Sequence, residues 1–243
     1  MSEFLFVFGI ALLASFLTYL GAPVAERFEA PQKVVSAALQ FAAGIIAALV
    51  AFSLMPPAVR YGPYVGVVIA FFLGGLLFVT LEYGSARLLA ARPATESGPK
   101  SLGLYIGILV DLVIDGVVIG IGSTMTLTTG LLLALGLAIS TAPLAFVTTA
   151  TAKRQGVSKE HRRLLAIMLF LAVFLGALFG FLVLRNQSLE TRLILIALAS
   201  GFLITTVTQS LIPEANREGE PGFAGILFIG GMALYALLSF TIR

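Results

Sequence analysis

Eight apolar stretches, each long enough to cross a bilayer as a helix, make up most of the chain: about 4–25, 34–58, 63–88, 102–122, 127–151, 164–184, 191–214 and 221–241. A helical span needs roughly 20 mainly apolar residues. Over 243 residues the chain is 59% hydrophobic and 11% charged, with a mean hydropathy of +1.05. A soluble domain of that length needs far more polar surface. Alternation of apolar and polar residues persists nowhere, which argues against a membrane barrel. The expectation is an all-α integral membrane protein with eight transmembrane helices, forming one domain over 1–243. Met1-Ser2-Glu3 lacks the basic segment of a cleaved signal, so the first stretch is expected to be kept as a helix.

Basic residues set the expected orientation. Arg27, Lys33, Arg87, Arg92, Lys100, Lys153, Arg154, Lys159, Arg162, Arg163 and Arg217 all fall on one side of the spans. Only Arg60, Arg185, Arg192 and Arg243 fall on the other. Eleven against four places both termini outside the cytoplasm, in an inner or plasma membrane. The Lys153–Arg163 cluster is read as this topology signal rather than as a headgroup or partner site.

The outer stretches look duplicated. Gly44, then eight residues, then Ser53-Leu54-Met55-Pro56-Pro57-Ala58-Val59-Arg60 recurs as Gly201, eight residues, Ser210-Leu211-Ile212-Pro213-Glu214-Ala215-Asn216-Arg217. Phe72-Leu73-Gly74-Gly75 then matches Phe228-Ile229-Gly230-Gly231. Runs one to three thus correspond to six to eight. Copies an odd number of spans apart are inverted, and transporters place binding sites between such repeats.

Runs four and five lie between the copies. Run four carries Asp111 and Asp115, four residues apart and therefore stacked on one helix face. No Lys or Arg lies in the core of any apolar run to neutralise them. Ionisable side chains at such depth are costly and usually functional. An isolated carboxylate in apolar surroundings needs a proton or a cation beside it. The bland alternative is a protonated pair hydrogen-bonded to neighbouring helices. An intramembrane aspartyl protease would need carboxylates facing each other from separate helices, so no enzyme is expected.

Ser140-Thr141-Ala142-Pro143 interrupts run five. Proline there frees backbone carbonyls, so Ser140 and Thr141 are candidate oxygen ligands facing the aspartates. Hydroxyls bonded to their own helix are the equal alternative. Gln209 and Glu214 near the end of run seven are further candidates; Glu214 with Glu218 and Glu220 beyond it could form an acidic cytoplasmic mouth, the bland alternative for Glu218 and Glu220 being a solvated loop. Gly103, Gly107, Gly116, Gly120 and Gly122 allow close helix packing in run four. With no Cys and a single histidine, His161, thiolate and multi-histidine metal sites are excluded.

The eight spans, the duplicated triplets around two central helices, the SLMPPA end of run two, the FFLGGLLF of run three and the QSLIPEANRE of run seven resemble the ZIP family of divalent-metal transporters. The family's fourth-helix motif, His-Asn-x-Pro-Glu-Gly, falls on Asp111-Leu112-Val113-Ile114-Asp115-Gly116. Acidic groups remain at the ligand positions, but the Asn and Pro are lost. Its fifth-helix motif falls on Ser140 to Ala145, where only Pro143 is kept, and a sixth-helix glutamate position falls on Val173. Gln209-Ser210 stand where the family has His-Glu, while Pro213-Glu214 persist.

The resemblance implies a 3+2+3 helix arrangement and transport of a divalent cation, which is substrate rather than cofactor. The remaining oxygen-only donor set holds one metal or none. It suits Mg²⁺, Mn²⁺ or Ca²⁺ better than Zn²⁺, although carboxylates bind any of these, and Fe²⁺ is also a candidate. The expected partners are the metal cation, the lipid bilayer and, by analogy with the family, a second copy as a homodimer; no nucleic acid is expected. The alternatives are a proton-linked carrier of another solute and a non-transporting sensor or scaffold.

Overall fold

A computed structural model describes the backbone over residues 2–28, 31–90, 101–217 and 222–242, and side chains over 3–28, 31–84, 107–217 and 222–242. Arg87, Arg92, Lys100, Gly103, Glu218 and Glu220 lie outside the described side chains. The described chain is helical: α1 (Ser2–Arg27), α2 (Gln32–Leu49), α3 (Met55–Tyr61), α4 (Tyr64–Ala90), α5 (Ser101–Met125), α6 (Leu127–Arg154), α7 (Lys159–Leu184), α8 (Leu189–Thr206), α9 (Ile212–Ala215) and α10 (Ala224–Thr241). Among the described residues eight helical segments are long and apolar enough to span a membrane, with α2–α3 and α8–α9 each counting as one. The protein is an integral membrane protein by that measure.

Short connections are possible because hydroxyl side chains cap the helix starts. Thr126, the single residue between α5 and α6, is extended (φ −149°, ψ 151°) and its hydroxyl accepts the Thr129 N–H at 2.9 Å. Ser158 and Ser188 do the same for α7 and α8, accepting from His161 N and Thr191 N. Each satisfies a donor that the first helical turn leaves unpaired. Gly156, at φ 76°, takes the left-handed conformation that turns the chain between α6 and α7.

Two widened π-helical turns, Val50–Leu54 and Val207–Leu211, interrupt the second and seventh spans. Each immediately precedes a proline-bearing helix, Met55-Pro56-Pro57 and Ile212-Pro213. A proline has no N–H to give the carbonyl four residues back, and its ring crowds that carbonyl. The wider turn absorbs both defects: Met55 N–H reaches Val50 O, and Ile212 N–H reaches Val207 O.

The two π-helical turns occupy equivalent places in the duplicated sequence, and the surrounding packing matches as well. α2 packs along α10, and α8 packs along α4. Gly44 of α2 lies against the Phe228 carbonyl, and Gly201 of α8 against the Phe71 carbonyl. Gly231 of α10 lies against the Phe41 carbonyl, and Gly74 of α4 against that of Leu198. One sequence offset relates all these pairs. It makes Gly74, not Gly75, the equivalent of Gly231, and corrects the Phe72–Gly75 match read from sequence by one residue. α1 lies on α6 and α7 on α5 in a corresponding way, with Gly21 against the Ala142 carbonyl and Gly176 against that of Val113.

The spans of α5 and α6 are 61% buried, against 22% for those of α4 and α10. The aspartate helix is therefore central. Large apolar side chains such as Phe6, Phe72, Ile226 and Phe240 point outward, where a bilayer solvates them. Inside, Tyr235 is fully buried and its hydroxyl pairs with that of Ser53 at 2.8 Å. At one end of the bundle Arg162 forms a two-point ion pair with Glu26, at 2.5 and 2.8 Å, and Gln40 donates to Asn216 at 2.8 Å. At the other end Arg192 donates to the Thr124 carbonyl at 2.7 Å.

Candidate functional site

α5 carries Asp111 and Asp115 into the interior, 8% and 2% exposed, between the fully packed Leu112 and Ile119. The close fit of α5 on α7 explains the burial. Gly116 and Gly120 sit directly on the Val173 and Ala177 carbonyls, with no side chain between the backbones. Asp111 accepts a hydrogen bond at Oδ1 from the Thr206 hydroxyl of α8 at 3.0 Å. That hydroxyl has one proton and also lies 3.2 Å from the Phe202 carbonyl of its own helix, so the two acceptors share it.

Asp115 is different. Neither of its carboxylate oxygens has a hydrogen-bond partner among the described residues. Among the described residues no ion pair reaches either aspartate. Burying a charge is tolerable only when it is paired and hydrogen-bonded. The described residues offer the pair one hydroxyl for four carboxylate oxygens and no positive side chain. Carboxylates in such surroundings need either a proton or a cation.

The other candidates are placed as follows. Ser140 and Thr141 are buried on α6, but Ser140 donates to the Leu137 carbonyl at 2.8 Å. Thr141 pairs with Thr18 of α1 at 2.7 Å. Neither hydrogen-bonds to an aspartate; Ser140 bonds its own helix, and Thr141 lies within 3.5 Å of its own helix's Ala138 carbonyl as well as bonding α1. Gln209 lies exposed in the second π-helical turn. Glu214 is half-buried on α9 and accepts from Arg217 at 3.4 Å.

Glu214 also lines a cavity of about 520 Å³ together with Lys153, Arg154 and Arg217. Glu214 thus lies among basic residues, while Glu218 and Glu220, the rest of the expected acidic mouth, lie outside the described residues. His161 bonds the Ser158 hydroxyl at 2.7 Å and belongs to the α7 cap. Among the described residues, no group of three or more His, Asp or Glu is gathered to hold a metal.

Thr206 is the site residue that sequence reasoning passed over. Thr205-Thr206 is a polar interruption within the seventh span, which could have drawn attention. The duplication gave no help, because it pairs Thr206 with Leu49. Comparison of the sequence with protein-family models and with curated proteins found no match.

Proposed function

We propose that this chain is a ZIP-like membrane transporter that moves divalent metal cations through a mid-membrane site on α5. The observation that carries the reading is Asp115, a buried carboxylate with both oxygens unpartnered, one helical turn from a second buried carboxylate. A divalent cation is a natural counter-charge for two carboxylates stacked in this way, and water would complete its coordination. Asp111 and Asp115 would bind the cation, and Thr206 would orient Asp111. Glu214 would act as a relay ligand toward the end that carries most of the basic residues. Both termini then lie outside the cytoplasm, by the distribution of Lys and Arg.

The matching contacts of α1–α4 and α7–α10 support a 3+2+3 arrangement of two inverted triplets around α5 and α6. Equivalent placement of Gly21 on α6 and Gly176 on α5 supports pairing Asp111–Gly116 with Ser140–Ala145, as the family resemblance implies. In such a fold, alternating access comes from one helix group moving against the other around a fixed site.

The test is uptake of Mg²⁺, Mn²⁺, Ca²⁺, Zn²⁺ and Fe²⁺ into liposomes carrying the purified protein, beside an Asp111→Asn/Asp115→Asn variant. Uptake by the parent that is lost in the variant is expected. Uptake that survives the double substitution would remove the aspartates from the mechanism. No cation uptake, together with a proton flux that needs the pair, would favour the proton-linked carrier.

A further inference from the structure

The cavity beside Glu214 lies where the ends of α1, α6 and α9 meet the start of α2. Its polar rim brings together basic side chains from segments far apart in sequence: Lys153 and Arg154 from the end of α6, and Arg217 from the turn after α9. Gln32 and Gln155 add amide donors, and Glu214 is the one carboxylate among its described lining residues. A topology signal requires basic residues only somewhere in a loop. It does not require three of them to converge on one concavity of about 520 Å³. Arg154 is exposed and makes no hydrogen bond or ion pair among the described residues. The guanidinium of Arg217 is 65% exposed and holds Glu214 only through a 3.4 Å contact. Both guanidiniums keep donors to spare.

Phe28, Val35 and Phe146 add apolar lining, Val35 buried and Phe28 exposed. One turn beyond Gln32 on α2, the Ser36 hydroxyl is buried without a hydrogen-bond partner. Convergent guanidiniums and an ammonium over a half-apolar floor fit a tetrahedral oxyanion attached to an apolar body. Among the described lining residues, Arg154 and Arg217 outnumber the one carboxylate, Glu214, while Lys153 is already engaged with the Glu26 carbonyl at 3.5 Å.

We propose that this cavity binds a phosphate group, borne by an anionic phospholipid or free in solution. The site is separate from the aspartate pair but shares Glu214, the proposed cation relay, and its occupancy is read without measuring transport.

The test is thermal unfolding followed by circular dichroism at 222 nm, since the chain has no Trp to report. The detergent-purified protein is titrated with dihexanoyl phosphatidylglycerol, with dihexanoyl phosphatidylcholine, and with sodium phosphate against sodium chloride at equal ionic strength. A saturable rise in Tm is expected with phosphatidylglycerol, with inorganic phosphate, or with both, and the responding arm names the source. Arg154→Gln and Arg217→Gln should each weaken the apparent Kd by about tenfold or more. Arg185→Gln, which removes one charge outside the cavity, should leave it unchanged. Arg154 is exposed and unbonded, so its substitution leaves the fold intact even if Arg217→Gln does not. No saturable rise in the parent with either probe, or an equal response in Arg154→Gln and Arg185→Gln, would overturn the proposal.

Discussion

Replacing Gly201 with alanine should destabilise the protein through one identifiable collision. A methyl group there would run into the Phe71 carbonyl of α4, lying 2.8 Å from its carbon and 3.2 Å from the Gly75 nitrogen. Ordinary contact between carbon atoms needs about 3.5–4.0 Å, so α4 and α8 must part by roughly 1 Å. Both neighbours are helix backbone, which cannot rotate aside as a side chain can. Overpacking of this kind costs about 1–3 kcal/mol. At roughly 2–4 °C per kcal/mol for a chain of this size, Tm should fall by several degrees. Gly44→Ala should behave alike, since the Phe228 carbonyl carbon also lies 2.8 Å from the added methyl. Gly9 provides the contrast: nothing lies within 4 Å of its Cβ position, and alanine there should gain up to about 1 kcal/mol from helix propensity. The assay is thermal unfolding in one detergent for parent, Gly9→Ala, Gly44→Ala and Gly201→Ala. If Gly201→Ala melts with the parent, the close approach of α4 and α8 is refuted.

Thr206→Val removes the donor to Asp111 and should cost about 1–3 kcal/mol, while Thr206→Ser keeps most of the parent's stability; equal melting of the two would mean the bond contributes nothing. Glu26→Gln breaks a two-point pair whose side chains are only 25% and 12% exposed. A double-mutant cycle with Arg162→Gln should give a coupling of about 1–2 kcal/mol, and a coupling near zero would contradict the pairing. Ser158→Ala and Ser188→Ala should each lower stability by about 1 kcal/mol through the lost cap, read as a shift in unfolding midpoint.

The number, order and approximate extent of the helices were legible in the sequence, because crossing a bilayer demands long apolar runs and leaves few alternatives. The second run was expected at 34–58 and the second span runs Gln32–Tyr61. The π-helical turns were not foreseen, although their cause was visible in Pro56 and Pro213. A proline announces a missing hydrogen bond but not how the helix absorbs it. The duplication was legible to within one residue in α4, where adjacent glycines made Gly74 and Gly75 hard to tell apart without the Leu198 carbonyl between the helices.

For the site, Asp111 and Asp115 stood out through their isolation among apolar neighbours. Thr206 did not, because a threonine in a span often bonds only its own helix. Ser140 and Thr141 looked like ligands because Pro143 frees a carbonyl nearby. Hydroxyls have local acceptors to choose from, and Thr18 and the Leu137 carbonyl are nearer competitors for their protons than any distant carboxylate.

On the proposed function, the unpartnered Asp115 takes a transported cation as its partner. The most direct measurement compares divalent-cation uptake by parent and Asp115→Asn proteins in the same liposomes, with Tm measured on both preparations. The substitution neutralises a buried, unbonded carboxylate, so the variant should fold with a Tm at or above the parent's and lose uptake. A stable Asp115→Asn protein that transports as the parent does would show that this carboxylate does not bind the transported cation.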